Sequence, residues 1–270
     1  MRLGNVVRGY RIVSAPTTSG GGRCVWAFAE KASRDYFIKQ FLDPKWPTDA
    51  AAGSPASKAQ RREECSIFER RHQQVNARIN PTAVGGGNLV TAIDFFREGS
   101  TYYKVTDRAA VSSPDLRGFT LRQTAVVLRT LCNSIRMLHR SGIVHGDLKP
   151  ANVLLQKSST GALFTTKVID FDDSYPSGDP LPPDQVVGDQ QFGAPEWLRY
   201  VKHDEAVTAD QLTTAADVFA LGLVFHVYLT GDLPAMTRAG TAHPPRRYGQ
   251  TNGCSSTRIS TPAWSICSVG

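Results

Sequence analysis

One polar loop in the middle of the chain combines a carboxylate, a cation and an amide. The segment IVHGDLKPANVLL holds Asp147, then Lys149 two residues later, then Asn152. A carboxylate can take the proton of an acceptor hydroxyl, and a lysine beside it can offset negative charge on phosphate. An amide oxygen is a hard ligand of the kind that Mg²⁺ prefers. Together these residue types indicate phosphoryl transfer, which depends on position and charge rather than on covalent help.

A further carboxylate follows at a spacing that suits a second metal ligand. Asp170 stands eighteen residues after Asn152, at the end of the apolar strand pattern TKVID. For one aspartate alone, a solvated polar turn is the simpler interpretation. The ordered set of Asp147, Lys149, Asn152 and Asp170 favours a reaction centre instead.

The elements that must position these residues change character at about residue 107. The first hundred residues predict strands with one helix, which runs from a capping box at Ser57 and Gln60 to about Ile79. The rest is mainly helical, and its first helix is predicted to start after a Thr120 cap and to end at Gly142. The pattern predicts an α+β fold.

Composition and charge narrow the function classes. The net charge is +7, but no acidic residue follows Asp232, and four arginines lie in the tail beyond it. A basic tail does not make a folded basic face, so we expect no nucleic-acid partner. No apolar run is long enough for a membrane span, and the N-terminus lacks the features of a secretory signal, so we expect no membrane partner. The five scattered cysteines fit a reduced cytoplasm and argue against a metal–cysteine site.

The motifs and their order resemble the eukaryotic-type protein serine/threonine kinases, a family that includes bacterial members. The matching segments are FIKQF, HGDLKPAN, IDFD, GAPEW and ADVFALG. The resemblance implies a protein-kinase-like bilobal fold, with a small β-rich N-lobe and a larger α-helical C-lobe. It also implies ATP and Mg²⁺ as cofactors and transfer of the γ-phosphate to serine or threonine hydroxyls of proteins. The protein substrate and the oligomeric state stay open.

The resemblance implies a role for individual residues. Asp147 would be the catalytic base and Lys149 the partner of the transferred phosphate. Lys39 would bind the ATP phosphates and pair with a helix carboxylate, for which Glu69 is preferred to Glu64 because it shares a helix face with neighbouring apolar residues. The remaining assignments are metal binding by Asn152 and Asp170, ATP binding by Gly20, Gly21, Gly22, Cys24 and Asp107, and structural roles for His145, Glu196 and Asp217.

Some positions depart from the family pattern. The phosphate-covering loop reads TTSGGGRCVW, so only one glycine keeps the family spacing if Gly22 is the last of them. Gly146 replaces the arginine that, in the family, binds a phosphate on the activation segment. Activity therefore need not depend on phosphorylation of that segment. Asp172 stands where the family has glycine, and we expect it to tolerate a left-handed turn. Asp189 replaces a threonine, and its carboxylate would repel Asp147 unless Lys149 lies between them.

The end of the chain departs most. Residues 1–107 would form the N-lobe and residues 108–234 a partial C-lobe, while residues 235–270 lack helical periodicity and are expected to be a disordered or aberrant tail. The resemblance would then imply an incomplete C-lobe, in which Glu196 lacks its usual arginine partner and Arg238 is the nearest candidate in sequence.

Two other functions remain open. A small-molecule phosphotransferase of the aminoglycoside or choline kinase type also has HGDL followed by an IDFDDS-like segment. Lys149-Pro150, the APE segment and the DVFALG segment favour the protein kinase over it. A truncated pseudokinase acting as a binding module is the non-enzymatic alternative, although Lys39, Asp147, Asn152 and Asp170 are all present.

Overall fold

The computed structural model describes most of the chain as two compact units. The described residues are 1–20, 22–50, 52–79, 88–112, 114, 116–158 and 161–235. The first unit comprises Met1–Ala77 and Val90–Ala109, and the second comprises Arg78–Leu89 and Ala110–Gly270. The tail predicted from residue 235 onward lies outside the described residues, except for Ala235 itself.

The first unit contains a six-stranded antiparallel sheet. Its strands are β1 (Val6–Val7), β2 (Tyr10–Ile12), β3 (Cys24–Lys31), β4 (Arg34–Phe41), β5 (Ala92–Glu98) and β6 (Thr101–Asp107), in the order β1-β2-β3-β4-β6-β5. Ala32 and Ser33 join β3 to β4 with φ values of 51° and 58°. Two left-handed residues match the twist of the flanking strands, so this turn sets the β3–β4 register.

The two faces of this sheet carry different packing. One face buries aliphatic and aromatic side chains that include Ala27, Ile38 and Val105. A second cluster contains Cys24, Phe41, Cys65 and Tyr102 and involves helix α1 (Pro55–Arg78). Alternation along each strand sends successive side chains to opposite faces, which produces these two cores.

Helix α1 starts earlier than the sequence pattern predicts. Pro55 is its first residue, and the hydroxyl of Ser54 accepts a hydrogen bond from the Ser57 N–H at 3.2 Å. Ser54 is therefore the cap, and the prediction of a cap at Ser57 is wrong. Proline suits the first helical position because its missing N–H would have no partner there.

The second unit carries the other three α-helices and two short antiparallel strand pairs. These are α2 (Leu121–Arg140), β7 (Ile143–Val144), β8 (Val153–Lys157), β9 (Phe164–Val168), β10 (Tyr175–Pro176), α3 (Pro195–Val201) and α4 (Ala215–Thr230). β7 pairs with β10, and β8 pairs with β9. A strand-rich first unit and a helical second unit confirm the predicted α+β class.

Helix α2 follows its sequence signals closely. Thr120 caps it: its hydroxyl accepts from the Gln123 N–H, and the Gln123 side chain accepts from the Thr120 N–H at 2.9 Å. Its stripe of Val127, Leu131, Ile135 and Leu138 is buried, and Gly142 turns the chain with a φ of 67°. The predicted cap and end are confirmed. The helix thus delivers the polar loop that follows β7.

Helix α4 is apolar but too short to cross a membrane. No helix within the described ranges has the length and apolar content of a membrane span. Gly231 ends α4 in a left-handed conformation, with a φ of 84°, and donates its N–H to the Val227 carbonyl at 2.8 Å. The N-terminal end of α4 matters for the candidate site, because Asp217 lies in its first turn.

Candidate active site

The carboxylate of Asp217 holds the backbone of the polar loop. It is 2% exposed and accepts hydrogen bonds from the N–H groups of His145 (2.7 Å) and Gly146 (3.2 Å). His139 on α2 contributes Nε2 at 2.9 Å. An ionised carboxylate has only acceptors to offer, so all three groups donate to it. Asp217 therefore connects α4 to α2 and to the backbone of the loop.

His145 connects the loop to the strand that precedes Asp170. The side chain is fully buried, and its Nε2 lies 3.0 Å from the Ile169 carbonyl oxygen. Because a carbonyl accepts, Nε2 carries the proton, which leaves Nδ1 free to accept from the Asp147 N–H at 3.3 Å. One imidazole thus orients both the backbone of Asp147 and the residue next to Asp170.

Three donors converge on the carboxylate of Asp147. Lys149 Nζ lies 2.8 Å from Oδ2, and Asn152 Nδ2 donates to the same oxygen at 3.0 Å. The backbone N–H of Asp189 donates to Oδ1 at 2.9 Å. The arrangement presents Asp147 as a fixed proton acceptor beside a cation.

The structure brings Asn152 and Asp170 to the same end of the β8–β9 pair. Val153 in β8 pairs with Val168 in β9, and the Ile169 N–H donates to the Asn152 carbonyl at 3.0 Å. The side-chain Nδ2 of Asn152 donates hydrogen bonds to Asp147, so the amide oxygen of Asn152 faces away from Asp147. An amide oxygen and a carboxylate are a donor set that fits Mg²⁺. Among the described residues no group of three or more His, Cys, Asp or Glu side chains is arranged to hold a metal ion.

Lys149 lies between two carboxylates. Its Nζ is 2.8 Å from Asp147 Oδ2 and 3.7 Å from Asp189 Oδ2. The sequence requires Lys149 to lie between the carboxylates of Asp147 and Asp189. The structure places its ammonium there. Asp189 also receives the Gln191 N–H on its Oδ1 at 2.9 Å, which orients its side chain.

A pocket opens beside Asp147 within the second unit. Its walls include the side chains of Asp189, Phe192 and Trp197. Gly193 lies flat against the Trp197 ring, since a Cβ there would come within 2.7 Å of an indole carbon. The pocket beside Asp147 is therefore lined partly by buried aromatic rings, next to the two carboxylates.

Gly146 is glycine for a steric reason. Its φ is 80°, and a Cβ there would stand 2.5 Å from the Asp173 carbonyl oxygen and 3.2 Å from the Tyr175 ring. L-residues rarely adopt this φ, and a Cβ cannot approach backbone so closely. No side chain, including an arginine, fits this position in the observed conformation.

The segment after Asp170 is packed onto the loop, which corrects the expectation for Asp172. Asp170 is left-handed, with a φ of 66°, and Asp172 is not. Aspartate is one of the few residues other than glycine that tolerate this conformation, so the turn forms at Asp170 without a glycine. Ser174 and Tyr175 are 0% and 1% exposed, so neither hydroxyl is accessible to a modifying enzyme in this conformation. Ser174 donates to the His145 carbonyl at 2.9 Å. Ser177 is exposed.

Glu196 lies in the first turn of α3 and is partly buried. Within the part of the chain that the structure describes, its carboxylate has no hydrogen-bond or ion-pair partner. Arg238, the candidate partner named from the sequence, lies outside the described residues. An acidic side chain near a helix N-terminus is favourable even without a cation.

In the first unit, Lys39 and Glu69 lie on different elements. Lys39 is in β4 and is 5% exposed. Glu69 projects from α1, where its Oε1 accepts from the Tyr102 hydroxyl at 2.6 Å and lies 3.9 Å from Arg97 Nε. Burial, together with this hydrogen bond, raises the pKa of Tyr102 above its usual value. The pairing of Lys39 with Glu69 stays a prediction.

The other residues predicted to bind ATP are spread over the first unit. Gly20 and Gly22 have left-handed backbone and open space around them, while Gly21 lies outside the described residues. Cys24 starts β3 and packs in the cluster of Phe41 and Tyr102. Asp107 ends β6, exposed, 3.4 Å from Arg34. Their roles in binding ATP stay predictions.

Three residues at these sites were missed by sequence reasoning. His139 supports Asp217, and Tyr102 holds Glu69. Lys104 lies opposite Lys39 in the sheet and is also buried, with 6% exposure. Of the three, only Lys104 could have been noticed in the sequence, because it is a charged residue within the strand pattern TYYKVTD. The contacts of the other two depend on long-range packing.

A family model described as the protein kinase domain matches residues 57–265, which is more than half of the chain. A MAP kinase-interacting serine/threonine-protein kinase 2 from Xenopus laevis is 28% identical over 173 residues, covering 58% of this chain and 35% of that protein. The serine/threonine-protein kinase PknB of Mycobacterium leprae is 31% identical over 116 residues, covering 42% of this chain and 16% of that protein. The matches thus span less than half the length of these relatives.

A solved structure, the kinase domain of PF14_0431, has the same fold. It superposes with a TM-score of 0.58 and covers 88% of this chain and 69% of that chain. The sequence identity is 15%, so this likeness concerns the fold alone.

The steric role of Gly146 predicts a large loss of stability on substitution. Gly146→Ala should lower the free energy of unfolding by about 2–5 kcal/mol, from left-handed strain and from the clash with Asp173. Gly142→Ala is the matched control, because Gly142 has a similar φ of 67° but open space for a Cβ; it should cost about 1–2 kcal/mol. Urea unfolding measures both. Equal losses in the two variants would contradict the close approach at Gly146.

Proposed function

The chain belongs to the protein kinase domain family, and we propose that it transfers the γ-phosphate of ATP to serine or threonine hydroxyls of proteins. The observation that carries this proposal is the convergence of Lys149, Asn152 and the Asp189 N–H on the carboxylate of Asp147. Three donors fix the direction of this carboxylate, and the Lys149 ammonium lies 2.8 Å from it.

The chemical step requires little covalent help from the protein. The acceptor hydroxyl oxygen bonds to the γ-phosphorus as the bond from that phosphorus to the β–γ bridging oxygen breaks, and ADP leaves with the bond's electrons. Asp147 takes the hydroxyl proton. Lys149, 2.8 Å from Asp147, offsets negative charge on the phosphoryl oxygens as they pass. The carboxylate of Asp189, 3.7 Å away, keeps the Lys149 ammonium beside Asp147, where the acceptor hydroxyl would bind.

Asn152 and Asp170 are the residues that would hold magnesium. Bound Mg²⁺ supplies positive charge that neutralises phosphate oxygens and fixes their direction. Asn152 also anchors Asp147 through its amide nitrogen, so the same side chain links the metal ligand set to the proton acceptor. In the first unit, Lys39 would bind the ATP phosphates, with Glu69 as its carboxylate partner.

Protein acceptors are favoured over small molecules by two local features. Lys149 is followed by Pro150, which starts a 3₁₀ turn and keeps Lys149 extended, with a φ of −154°. The GAPEW segment forms the start of α3 and the Trp197 wall beside Asp147. Relatives named serine/threonine kinases support the same choice. A cytoplasmic site of action fits the reduced state of Cys24, Cys65 and Cys132, which form no disulfide among the described residues.

Labelled ATP provides the direct test of the proposed activity. With Mg²⁺ and a generic basic protein, the wild type should transfer the γ-label to the protein. Asp147→Asn should reduce the rate by about 10²–10⁴-fold, the range for loss of a general base, and removal of divalent metal should abolish transfer.

The same assay separates the alternatives. Label on an aminoglycoside or choline but not on protein would replace the proposal with a small-molecule phosphotransferase. Binding of ATP with no transfer to either acceptor would indicate a binding module. Equal rates for the wild type and Asp147→Asn, at unchanged stability, would show that Asp147 is not the base.

Activity is further predicted to be independent of phosphorylation in the segment between Asp170 and Glu196. Gly146 has no side-chain cation that could bind a phosphate on this segment. In addition, Ser174 and Tyr175 are buried in the conformation described. Phosphatase-treated enzyme, assayed from the first turnover, should keep its initial rate. Ser177→Ala, which removes the exposed serine, should also retain it. Loss of activity after phosphatase treatment, restored by rephosphorylation, would contradict this prediction.

A further inference from the structure

Asp189 lies beside the proposed proton acceptor, and the two carboxylates share one cation. The backbone N–H of Asp189 donates to Asp147 Oδ1 at 2.9 Å, which fixes Asp189 next to the reaction centre. Its carboxylate is 3.7 Å from the Lys149 ammonium, whereas the same ammonium is 2.8 Å from Asp147. Within the described part of the chain, no other cation forms an ion pair with either carboxylate. Negative charge is therefore in excess at this point.

The segment that carries Asp189 is charged with one sign only. From Asp170 to Leu198 the sequence has seven acidic residues and no lysine, arginine or histidine. The acidic residues are Asp170, Asp172, Asp173, Asp179, Asp184, Asp189 and Glu196. A protein surface with charges of one sign raises the local concentration of ligands with the opposite sign. This segment therefore favours a positively charged substrate.

The carboxylate of Asp189 is accessible to a bound substrate. Its side chain is 31% exposed, compared with 10% for Asp147. Oδ1 accepts the Gln191 N–H at 2.9 Å. Oδ2 lies 3.7 Å from Lys149 Nζ, which is too long for a hydrogen bond. Oδ2 can therefore accept a charge-assisted hydrogen bond from a cation of the substrate.

The position of Asp147 determines which part of a substrate meets Asp189. The acceptor hydroxyl must approach Asp147, and the next residue of an extended peptide lies only about 3.3–3.6 Å further along the chain. Because the backbone of Asp189 is bonded to Asp147 itself, a long side chain directly beside the acceptor can reach the Asp189 carboxylate. Arginine suits this position best, since its planar guanidinium can donate two parallel hydrogen bonds to a carboxylate.

We propose that Asp189 is a specificity-determining residue, which selects protein substrates with an arginine or lysine directly beside the acceptor serine or threonine. This inference rests on the proposed function, in which the chain phosphorylates proteins. The family resemblance implies a threonine at this position, and a carboxylate adds a negative charge that a hydroxyl lacks. A basic side chain of the substrate offsets the excess charge and leaves the Lys149 ammonium with Asp147.

The test uses three peptides that differ only at the two residues flanking one acceptor serine. These residues are arginine, citrulline, which has nearly the same shape without the charge, or glutamate. For the wild type, kcat/KM should be about five- to tenfold higher with arginine than with citrulline, the scale of one charge-assisted hydrogen bond at a partly exposed site. The glutamate peptide should be the poorest substrate.

Two variants assign the preference to one side chain. Asp189→Asn keeps the shape of the side chain and the backbone N–H that bonds to Asp147, so its arginine-to-citrulline ratio should fall to within about twofold of one. The ratio is taken within each variant, so a change in its overall rate does not affect the comparison. Asp184→Asn is the control, because it removes an exposed acid of the same segment; it should keep the wild-type ratio.

The outcomes are distinct. A ratio near one in the wild type, or the wild-type ratio in Asp189→Asn, would overturn the inference. Equal reductions in Asp184→Asn and Asp189→Asn would also overturn it, because the preference would then belong to the charge of the whole segment.

Binding of the same peptides, with alanine in place of the serine, separates this inference from the proposed function. If the wild type transfers no phosphate but binds the arginine peptide about five- to tenfold more tightly than the citrulline peptide, and Asp189→Asn loses that difference, the proposed function fails and the binding preference stands. If the wild type phosphorylates all three peptides with equal kcat/KM, only this inference fails.

Discussion

The buried carboxylate of Asp217 is the interaction on which the candidate site depends. The consecutive backbone N–H groups of His145 and Gly146 donate hydrogen bonds to it, and His139 donates a third. Buried donors that lose their acceptor cost about 1–3 kcal/mol each, so this contact determines where the loop backbone can lie. The position of Asp147, the next residue, follows from it. α4 is apolar along most of its length, and the one charged group in its first turn serves the loop.

Around that brace, the departures from the family pattern support one another. Gly146 is required because the Asp173 carbonyl approaches too closely for a side chain. That approach is possible because the following segment packs on the loop, with β10 paired to β7 and Ser174 bonded to His145. Asp189 then attaches the far end of the segment, through its N–H to Asp147 and its carboxylate near Lys149. Both uncharged and charged contacts therefore hold this segment against the loop.

Much of this could be predicted from local patterns, and the rest depends on long-range geometry. The stripe and cap of α2 are local signals, and they placed Thr120 and Gly142 correctly. Ser54 and Ser57 are both plausible caps, and only Pro55 in the first turn decides between them. The left-handed conformation of Asp170 and the burial of Ser174 arise from packing between distant segments. The pairing of Lys104 with Lys39 depends on strand register, which no short motif contains.

The central claim is that Asp217 holds the loop in the geometry that transfer requires. The most direct measurement is the single-turnover rate of phosphate transfer by Asp217→Asn, with ATP affinity measured on the same protein. The amide keeps the shape but presents an N–H to one of the three donors, so the loop should lose its position. The account predicts a single-turnover rate at least about tenfold lower, and a smaller effect on ATP affinity, because Lys39, the lysine proposed to bind the ATP phosphates, lies in β4. A wild-type rate in a folded Asp217→Asn protein would contradict it.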